Sequence, residues 1–185
     1  MLNIRRRRGL FLIISFVSIT SIQLLSQPVP CGAIAKMANN CADACVICDI
    51  DGFTGRNDLR SAGQNLGSAF CSNADDMHFI AFIAGSHNLS IKIDVSNCQA
   101  GRFNLMSLDL GFYQSSDCQN FTPITSCQRD LENGQSHIFT TEDSLIIGQH
   151  YYLIMDGSAG SVCDWTFSVL EGSTQVLPLT NSGVI

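Results

Sequence analysis

The sequence predicts an all-β fold, a two-sheet antiparallel β-sandwich with a disulfide-stapled, loop-rich N-terminal cap. Apolar and polar residues alternate in the segments 89–96, 108–112 and 164–169. This alternation is typical of strands that bury one face in a core and expose the other to water. No amphipathic helical pattern separates these segments, so two layers of strands packed face to face are the expected arrangement.

Two other segments, 77–84 and 151–155, are apolar on both faces. Runs of this kind are expected in central strands whose two faces are both covered. Clusters of Gly, Asn, Asp and Ser separate the predicted strands and indicate turns. These turns are predicted at 85–88, 115–117, 132–134 and 156–158.

The N-terminus has the charge pattern of a secretory signal. Four arginines at 5–8 precede an uncharged apolar run at 9–25, which is the order found in signal peptides. Cleavage after Ser26 is favoured, and cleavage after Ala35 is the alternative. An uncleaved anchor is a third possibility, because the run is just short of the ~20 residues that span a bilayer. We therefore predict a protein that is secreted or held at the outer cell surface, with no membrane contact after cleavage.

The chain divides at changes in composition. The segment 41–71 is rich in Gly, Asn, Asp and Ser and contains four cysteines, which predicts the cap. Removing the four signal arginines from the ten basic residues leaves six, against 16 acidic ones. Such an acidic surface repels nucleic acid and anionic lipid. The predicted boundaries are a signal peptide at 1–26, a flexible N-terminal segment at 27–40, a Cys-rich β-sandwich domain at 41–171, and a linker or truncated junction at 172–185.

Nine cysteines follow the apolar run, and in an oxidising compartment they are expected to form disulfides. Cys31 is the predicted odd thiol, in the flexible N-terminal segment. The spacing Cys41-x-x-x-Cys45-x-x-Cys48 also fits an iron–sulfur cluster or a zinc site, and the export signal disfavours both. The predicted disulfide partners are Cys41, Cys45, Cys48, Cys71, Cys98, Cys118, Cys127 and Cys163.

The pairing of these eight cysteines stays open, because spacing alone does not fix connectivity. Cys98 ends one predicted strand and Cys163 begins the last one. Cys118 and Cys127 flank a short predicted strand, at a distance that would allow them to close a small loop. The cap cysteines are expected to pair with one another or with Cys163.

Several strings of residues resemble known domains. The first half contains Cys45-Val-Ile-Cys48-Asp-Ile-Asp51-Gly52-Phe53-Thr-Gly55, then Phe70-Cys71 and His78-Phe-Ile-Ala-Phe82. It resembles a Cys-rich β-sandwich domain of large secreted or surface proteins of gliding, type IX-secreting bacteria. The second half has Tyr151-Tyr152, an Asp156-Gly157 turn and a final Phe167-Ser-Val169 strand, and it resembles the bacterial pre-peptidase C-terminal (PPC-like) domain. The resemblance spans 41–170 and implies a jelly-roll or PPC-like sandwich beside adhesion modules, repeats or a sorting domain.

Two carboxylates two residues apart, Asp49 and Asp51, precede Gly52, as at the opening of a calcium loop. Calcium requires six to eight oxygen ligands, and the final hairpin offers Asp164 or Asp156 as further donors. The predicted metal ligands are therefore Asp49, Asp51 and Asp164, with calcium as the possible cofactor. The competing interpretation is an Asx turn, in which the carboxylate caps its own loop.

Two aromatic residues are predicted at the surface. Tyr113 and Tyr152 have the phase opposite to Phe112 and Tyr151 in their strands, so we expect the latter pair in the core and the former pair exposed. Exposed tyrosines provide platforms for sugar stacking. Tyr113 and Tyr152 are therefore the predicted ligand-binding residues.

The motifs of common hydrolases are absent from the sequence. It contains no Gly-x-Ser-x-Gly elbow and no His-Glu-x-x-His helix, and we predict that the chain is not an enzyme. The predicted function is that of a non-catalytic secreted or cell-surface module in adhesion, binding or spacing. Neighbouring domains or an extracellular glycan or protein are its expected partners. The alternatives are an accessory domain of a secreted protease or glycosidase and a calcium-dependent carbohydrate-binding module.

Overall fold

The computed structural model describes residues 37–58, 63–71 and 77–174. These residues form ten β-strands and four 3-10 turns of three residues each, which confirms the predicted all-β fold. The predicted signal peptide, both cleavage sites, Cys31 and most of the predicted linker lie outside the described residues. Within the described ranges, none of the helical turns is long and apolar enough to cross a membrane.

The strands lie where the alternation predicts them, with additional short strands between. In chain order they are β1 (Val46–Ile47), β2 (Thr54–Arg56), β3 (Met77–Ile83), β4 (Ser90–Gln99), β5 (Ser107–Gln114), β6 (Thr122–Pro123), β7 (Gln128–Glu132), β8 (Ser136–Thr140), β9 (His150–Gly157) and β10 (Val162–Glu171).

The strands form two sheets. The larger sheet has six strands in the order β1-β3-β9-β5-β6, and β7 also pairs with β5. The smaller sheet has four strands in the order β2-β10-β4-β8. All pairings are antiparallel except that of β1 with β3. We call the end of the sandwich with the connections 99–107, 132–136 and 157–162 the distal end, and the other the proximal end.

The main core lies between the two sheets. Alternate residues of each strand point into it, such as Leu153 and Met155 of β9 and Ile91 and Ile93 of β4. Aromatic rings fill the centre, where Phe112 meets Phe82 and Phe139 edge to face, with centroids 5.8 and 5.1 Å apart. Full burial stabilises each large side chain by roughly 1.5–3 kcal/mol relative to exposure. The period-two pattern of the sequence is therefore the signature of this inner face.

The other face of the larger sheet is covered by the cap, which we define as residues 37–45 and 63–71. A second apolar cluster forms there, in which Phe79 of β3 and Ile154 of β9 are fully buried against cap residues such as Phe70 and Cys41. Because both faces are covered, every residue of β3 from Met77 to Phe82 is buried. This explains the continuous apolar runs at 77–84 and 151–155.

Disulfides hold the cap on the sheet. Cys41 is bonded to Cys118 and Cys71 to Cys127, across sequence separations of 77 and 56 residues. Closing loops of this size removes roughly 4 kcal/mol of chain entropy from the unfolded state for each bridge. The prediction of a disulfide-stapled cap is confirmed, but the expected pairing of its cysteines with one another or with Cys163 is wrong for these two bridges. Cys118 and Cys127 likewise do not close a small loop together.

The packed region is wider than the predicted 41–171. Met37 and Ala38 belong to the segment predicted as flexible, yet both are buried, and Ala38 forms an isolated β-bridge with Phe79. At the other end, the hydroxyl of Thr174 accepts a hydrogen bond of 3.0 Å from the backbone of Ile50. The segment 41–71 is also less irregular than predicted, because it contributes one edge strand to each sheet.

The stability of the fold should depend on pH in the alkaline range, because Tyr113 and Tyr152 are buried. Burial raises the pKa of Tyr113 to about 12 and also raises the pKa of Tyr152. Unfolded tyrosine ionises near pH 10, so between about pH 10 and 12 the unfolded chain loses protons that the folded chain keeps. The free energy of unfolding therefore decreases with rising pH over this interval. In Tyr113→Phe this decrease should be smaller by roughly 2 kcal/mol, as measured by urea unfolding; an unchanged pH profile would contradict burial of the phenol.

Candidate functional site

The outer face of the smaller sheet is polar and open to solvent. Side chains on this face alternate with the core residues of the same strands, and they are exposed or half-buried. In the described part of the chain, the cap covers only the larger sheet, so this face has no cover comparable to it. Its members are Thr54, Arg56, Lys92, Asp94, Ser96, Ser136, Ile138, Thr140, Asp164, Thr166 and Ser168.

An open groove of about 800 Å³ lies on this face towards the distal end, where β2, β10 and β4 meet. We call it the sheet groove. Gly52, Phe53, Gly55 and Trp165 contribute to its lining. The remaining lining residues are polar: Thr54, Arg56, Asp58, Ser96, Asn97, Asp164 and Thr166.

Asp164 is at the centre of the groove's hydrogen bonds. Arg56 Nη1 donates to Asp164 Oδ1 at 2.6 Å, and Asn97 Nδ2 donates to Asp164 Oδ2 at 3.0 Å. These bonds, chiefly that from Arg56, lower the pKa of the Asp164 carboxyl. The carboxylate therefore stays ionised at neutral pH, and its two donors hold it in a fixed orientation.

A β-bulge places Asn97 beside Asp164. The register of β4 and β10 shifts between the pairs Val162–Gln99 and Asp164–Ser96, so β4 has one extra residue there. Asn97 takes the left-handed conformation, with φ of 48°, which asparagine tolerates better than most residues. Bulges re-aim side chains in this way. The Cys98–Cys163 disulfide, with Cα atoms 4.0 Å apart, joins the two strands at the bulge.

Strand β2 is fastened to β10 so that Arg56 reaches Asp164. Asn57, which is buried, donates from Nδ2 to the Ser161 carbonyl at 2.8 Å and accepts from the Cys163 backbone at 2.6 Å. Gly55 lies opposite Trp165 in the pairing, and a Cβ atom there would be 2.3 Å from the indole Cζ2. Glycine is thus required at position 55 for β2 to lie close to the indole ring.

Trp165 packs behind the groove, in the main core on the inner face of β10. Trp165 is 1% exposed, and within the described residues its indole Nε1 has no hydrogen-bond acceptor. Buried tryptophan N–H groups usually have a partner. The guanidinium, amide, carboxylate and hydroxyl groups that line the groove suit a polar ligand that both donates and accepts hydrogen bonds.

The structure does not bring the predicted calcium ligands together. Asp49 Oδ1 accepts from the Asp51 backbone at 3.0 Å, and Asp51 Oδ1 accepts from the Val169 backbone at 2.8 Å. Val169 and Asp164 are five residues apart on β10, which is about 16 Å along an extended strand. The prediction that Asp49, Asp51 and Asp164 share a metal is therefore wrong, and the Asx turn is what forms. Asp156 is buried in β9 instead, opposite Asp109 of β5. In the described ranges, no group of three or more His, Cys, Asp or Glu side chains is placed to hold a metal ion.

The predicted sugar platform is also wrong. Tyr113 and Tyr152 point away from the main core, as their phase predicts, but they are only 1% and 7% exposed because the second apolar cluster, with cap residues and Phe121, covers them. The ring of Tyr113 contacts Phe70 with centroids 6.2 Å apart, and Tyr152 contacts Phe121 at the same distance. Their role is in the second apolar cluster.

Six of the eight predicted disulfide partners form the three bridges described above. Cys45 is also disulfide-bonded. Cys48 is the exception, because its thiol is free and exposed just after β1. All other cysteines in the described ranges are bonded, so no thiol there remains to pair with it. Since Cys41 and Cys45 are disulfides, the Cys-x-x-x-Cys-x-x-Cys spacing supplies no set of thiolates for a cluster or zinc.

The four histidines lie on separate elements. His78 is buried in β3, and His87 Nδ1 lies 2.9 Å from the Leu145 carbonyl. His137 packs on Phe139 with ring centroids 4.6 Å apart, and burial lowers its pKa. Burial also lowers the pKa of His150, at the start of β9.

Sequence reasoning selected Asp164 but missed Arg56, Asn97 and the groove itself. The missing signal was the disulfide pairing. Had Cys98 been known to bond to Cys163, their neighbours Asn97 and Asp164 would have been placed side by side on adjacent strands.

No protein-family model matches the chain, and no curated protein matches it at a significant level.

The contact between Gly55 and Trp165 is open to a direct test. Gly55→Ala introduces a methyl group 2.3 Å from the indole, and overpacking of this kind costs about 1–3 kcal/mol. We expect that loss in the free energy of unfolding, measured by urea denaturation with tryptophan fluorescence. The control is Thr54→Ala, an exposed neighbour in β2, which should change stability by less than about 0.5 kcal/mol. Equal effects of the two substitutions would contradict the close packing.

The exposed thiol of Cys48 should react in the native protein. Treatment with a maleimide without reductant, followed by peptide mapping, should place the label on the Cys48 peptide and leave the seven disulfide-bonded cysteines of the described residues unlabelled. Cys48→Ser should lose that label with no change in melting temperature, because the side chain is exposed. An unlabelled Cys48 in the folded protein would mean that its thiol is covered or bonded.

Proposed function

We propose that this chain is a non-catalytic module, secreted or held at the cell surface, that binds a polar extracellular glycan in the sheet groove. The observation that carries the proposal is the groove of about 800 Å³ with Asp164 fixed between Arg56 and Asn97. Its volume is in the range of ligand sites in proteins, about 300–1,000 Å³. Such sites are usually lined by apolar groups, so a polar lining selects a polar ligand.

The chemistry of the lining suits vicinal hydroxyl groups. A carboxylate oxygen accepts from a sugar hydroxyl, while the Asn97 amide and the Arg56 guanidinium donate to one. Thr54 and Thr166 lie opposite each other on β2 and β10, and their hydroxyl groups can both donate and accept hydrogen bonds. Since these residues stand on paired strands, little ordering is needed when a ligand binds, which reduces the entropic cost.

Extracellular placement has independent support. Disulfides such as Cys41–Cys118 and Cys98–Cys163 persist in oxidising compartments. The charge pattern of residues 1–25 is that of a secretory signal. The resemblance to Cys-rich domains of surface proteins from gliding bacteria is consistent with a role in adhesion, and the proposed partners are extracellular glycans.

A glycan array probed with the purified mature protein, followed by calorimetry with each hit, tests the proposal. We expect binding that weakens about tenfold or more in Asp164→Asn and in Arg56→Gln, because charge-assisted hydrogen bonds contribute about 1.5–3 kcal/mol. The side chains of Arg56 and Asp164 both line the groove and are 28% and 38% exposed, so a ligand bound there can reach both.

The chain offers a matched control on the same face. Lys92 Nζ and Asp94 Oδ1 form an ion pair of 2.7 Å, outside the groove lining. Asp94→Asn and Lys92→Gln should leave glycan affinity unchanged. An array without hits at high protein concentration would overturn the proposal and leave a spacer role. Equal losses in the groove and control variants would remove the groove as the site.

A further inference from the structure

The connection between β4 and β5 exposes apolar side chains at the distal end. Phe103 is 87% exposed, and Leu105 and Met106 are each 42% exposed. Most large apolar side chains of the described residues are buried in the two clusters, so a phenylalanine standing in water is unusual for this molecule. We call residues 101–106 the Phe103 loop.

The backbone of this loop is held in an unfavourable conformation. Phe103 and Asn104 both have left-handed φ values, 61° and 60°. Asparagine adopts this conformation with little penalty, but a bulky residue such as phenylalanine does so rarely. Strained residues of this kind persist where the surroundings enforce them, and they cluster at functional sites.

The surroundings do enforce the loop's shape. The Leu105 carbonyl accepts hydrogen bonds from the Gly101 backbone at 3.0 Å and from the Ser161 hydroxyl at 2.7 Å. Gly101 packs so closely on the 158–161 turn that a Cβ atom would lie 2.4 Å from the Ala159 carbonyl oxygen. The Cys98–Cys163 bridge ties the strands just before the loop and just after that turn. Phe103 is thus presented by a rigid support.

Composition and charge indicate what the loop contacts. Phenylalanine, methionine and arginine are enriched in protein–protein interfaces, and the exposed Arg102 forms no ion pair within the described residues. A membrane is disfavoured, because the chain has a net charge of −6 and the loop has one cation. A second copy is disfavoured too, since a symmetric contact would oppose two Arg102 side chains.

We propose that the Phe103 loop is a preformed contact for a different protein that offers an apolar pocket with an acidic rim. Phe103 enters the pocket and Arg102 pairs with a rim carboxylate. The loop and the sheet groove both lie near the distal end, but no residue of 101–106 lines the groove. The proposed contact therefore uses side chains that a ligand in the groove does not need.

Selection from a random peptide library displayed on phage, with the mature protein as bait, tests this inference. We expect enriched peptides that combine apolar residues with Asp or Glu. Their affinity as purified peptides should decrease about tenfold or more for Phe103→Ala and Phe103→Gly, as for interface hot spots. Arg102→Gln should weaken binding less, and more at low salt than at high salt.

Two controls keep the test decisive. Ile146→Ala removes another exposed apolar side chain, which is 60% exposed at the proximal end, and should leave peptide affinity unchanged. Phe103→Gly relieves the left-handed strain, so its melting temperature should equal or exceed that of the wild type, which separates lost binding from lost folding.

Each contrary result overturns the proposal. These results are a selection that yields no Phe103-dependent peptide, Phe103-dependent binding to phosphatidylcholine or phosphatidylglycerol vesicles, and Phe103-dependent self-association in sedimentation. The second would assign the loop to lipid and the third to a second copy of the chain.

Discussion

The structure depends on covering both faces of the larger sheet. Its central strands β3 and β9 are apolar on both sides, and exposed apolar surface costs about 25 cal/mol per Å². The smaller sheet covers one face by regular packing. The other face is covered by the cap, which has little regular structure of its own and is fixed by bonds from Cys41 to Cys118 and from Cys71 to Cys127. Without that attachment Phe79, Tyr113 and Ile154 would face water.

This arrangement leaves the two sheets unequal. Because the cap covers the larger sheet, the smaller one is left with a wet outer face, and its strands alternate apolar and polar residues accordingly. That face is where Asp164, Arg56 and Asn97 meet. Three local features fix their geometry. These are the bulge in β4, the Cys98–Cys163 bridge, and Gly55, which allows β2 to pack closely on Trp165. Strand β10 therefore contributes to both regions. Its outward side chains line the polar site, and its inward side chains pack in the core.

The sequence predicted the strands of the two sheets but not the position of the cap. Strand positions were predictable because alternation is a local property, and the phase of Tyr113 relative to Phe112 was predicted correctly. The exposure of Tyr113 was predicted wrongly, because it depends on where the cap lies. The cap lacks periodicity, so its position is determined by disulfide pairing, which spacing does not reveal. The Cys98–Cys163 bridge, likewise not revealed by spacing, places Asn97 beside Asp164. Asp51 lies farther along β10, where it accepts from the Val169 backbone.

Rigidity connects the groove and the Phe103 loop. Both lie near the distal end, and both are supported by the strands that the Cys98–Cys163 bridge joins. A rigid support lowers the entropic cost of binding. It also holds backbone conformations that would be unfavourable in a flexible chain. The left-handed Phe103 is such a conformation, and glycine at that position would be easier to accommodate. The strained backbone and exposed ring of Phe103 do not stabilise the folded state. The proposed contact with another protein therefore explains this aromatic side chain better than the fold does.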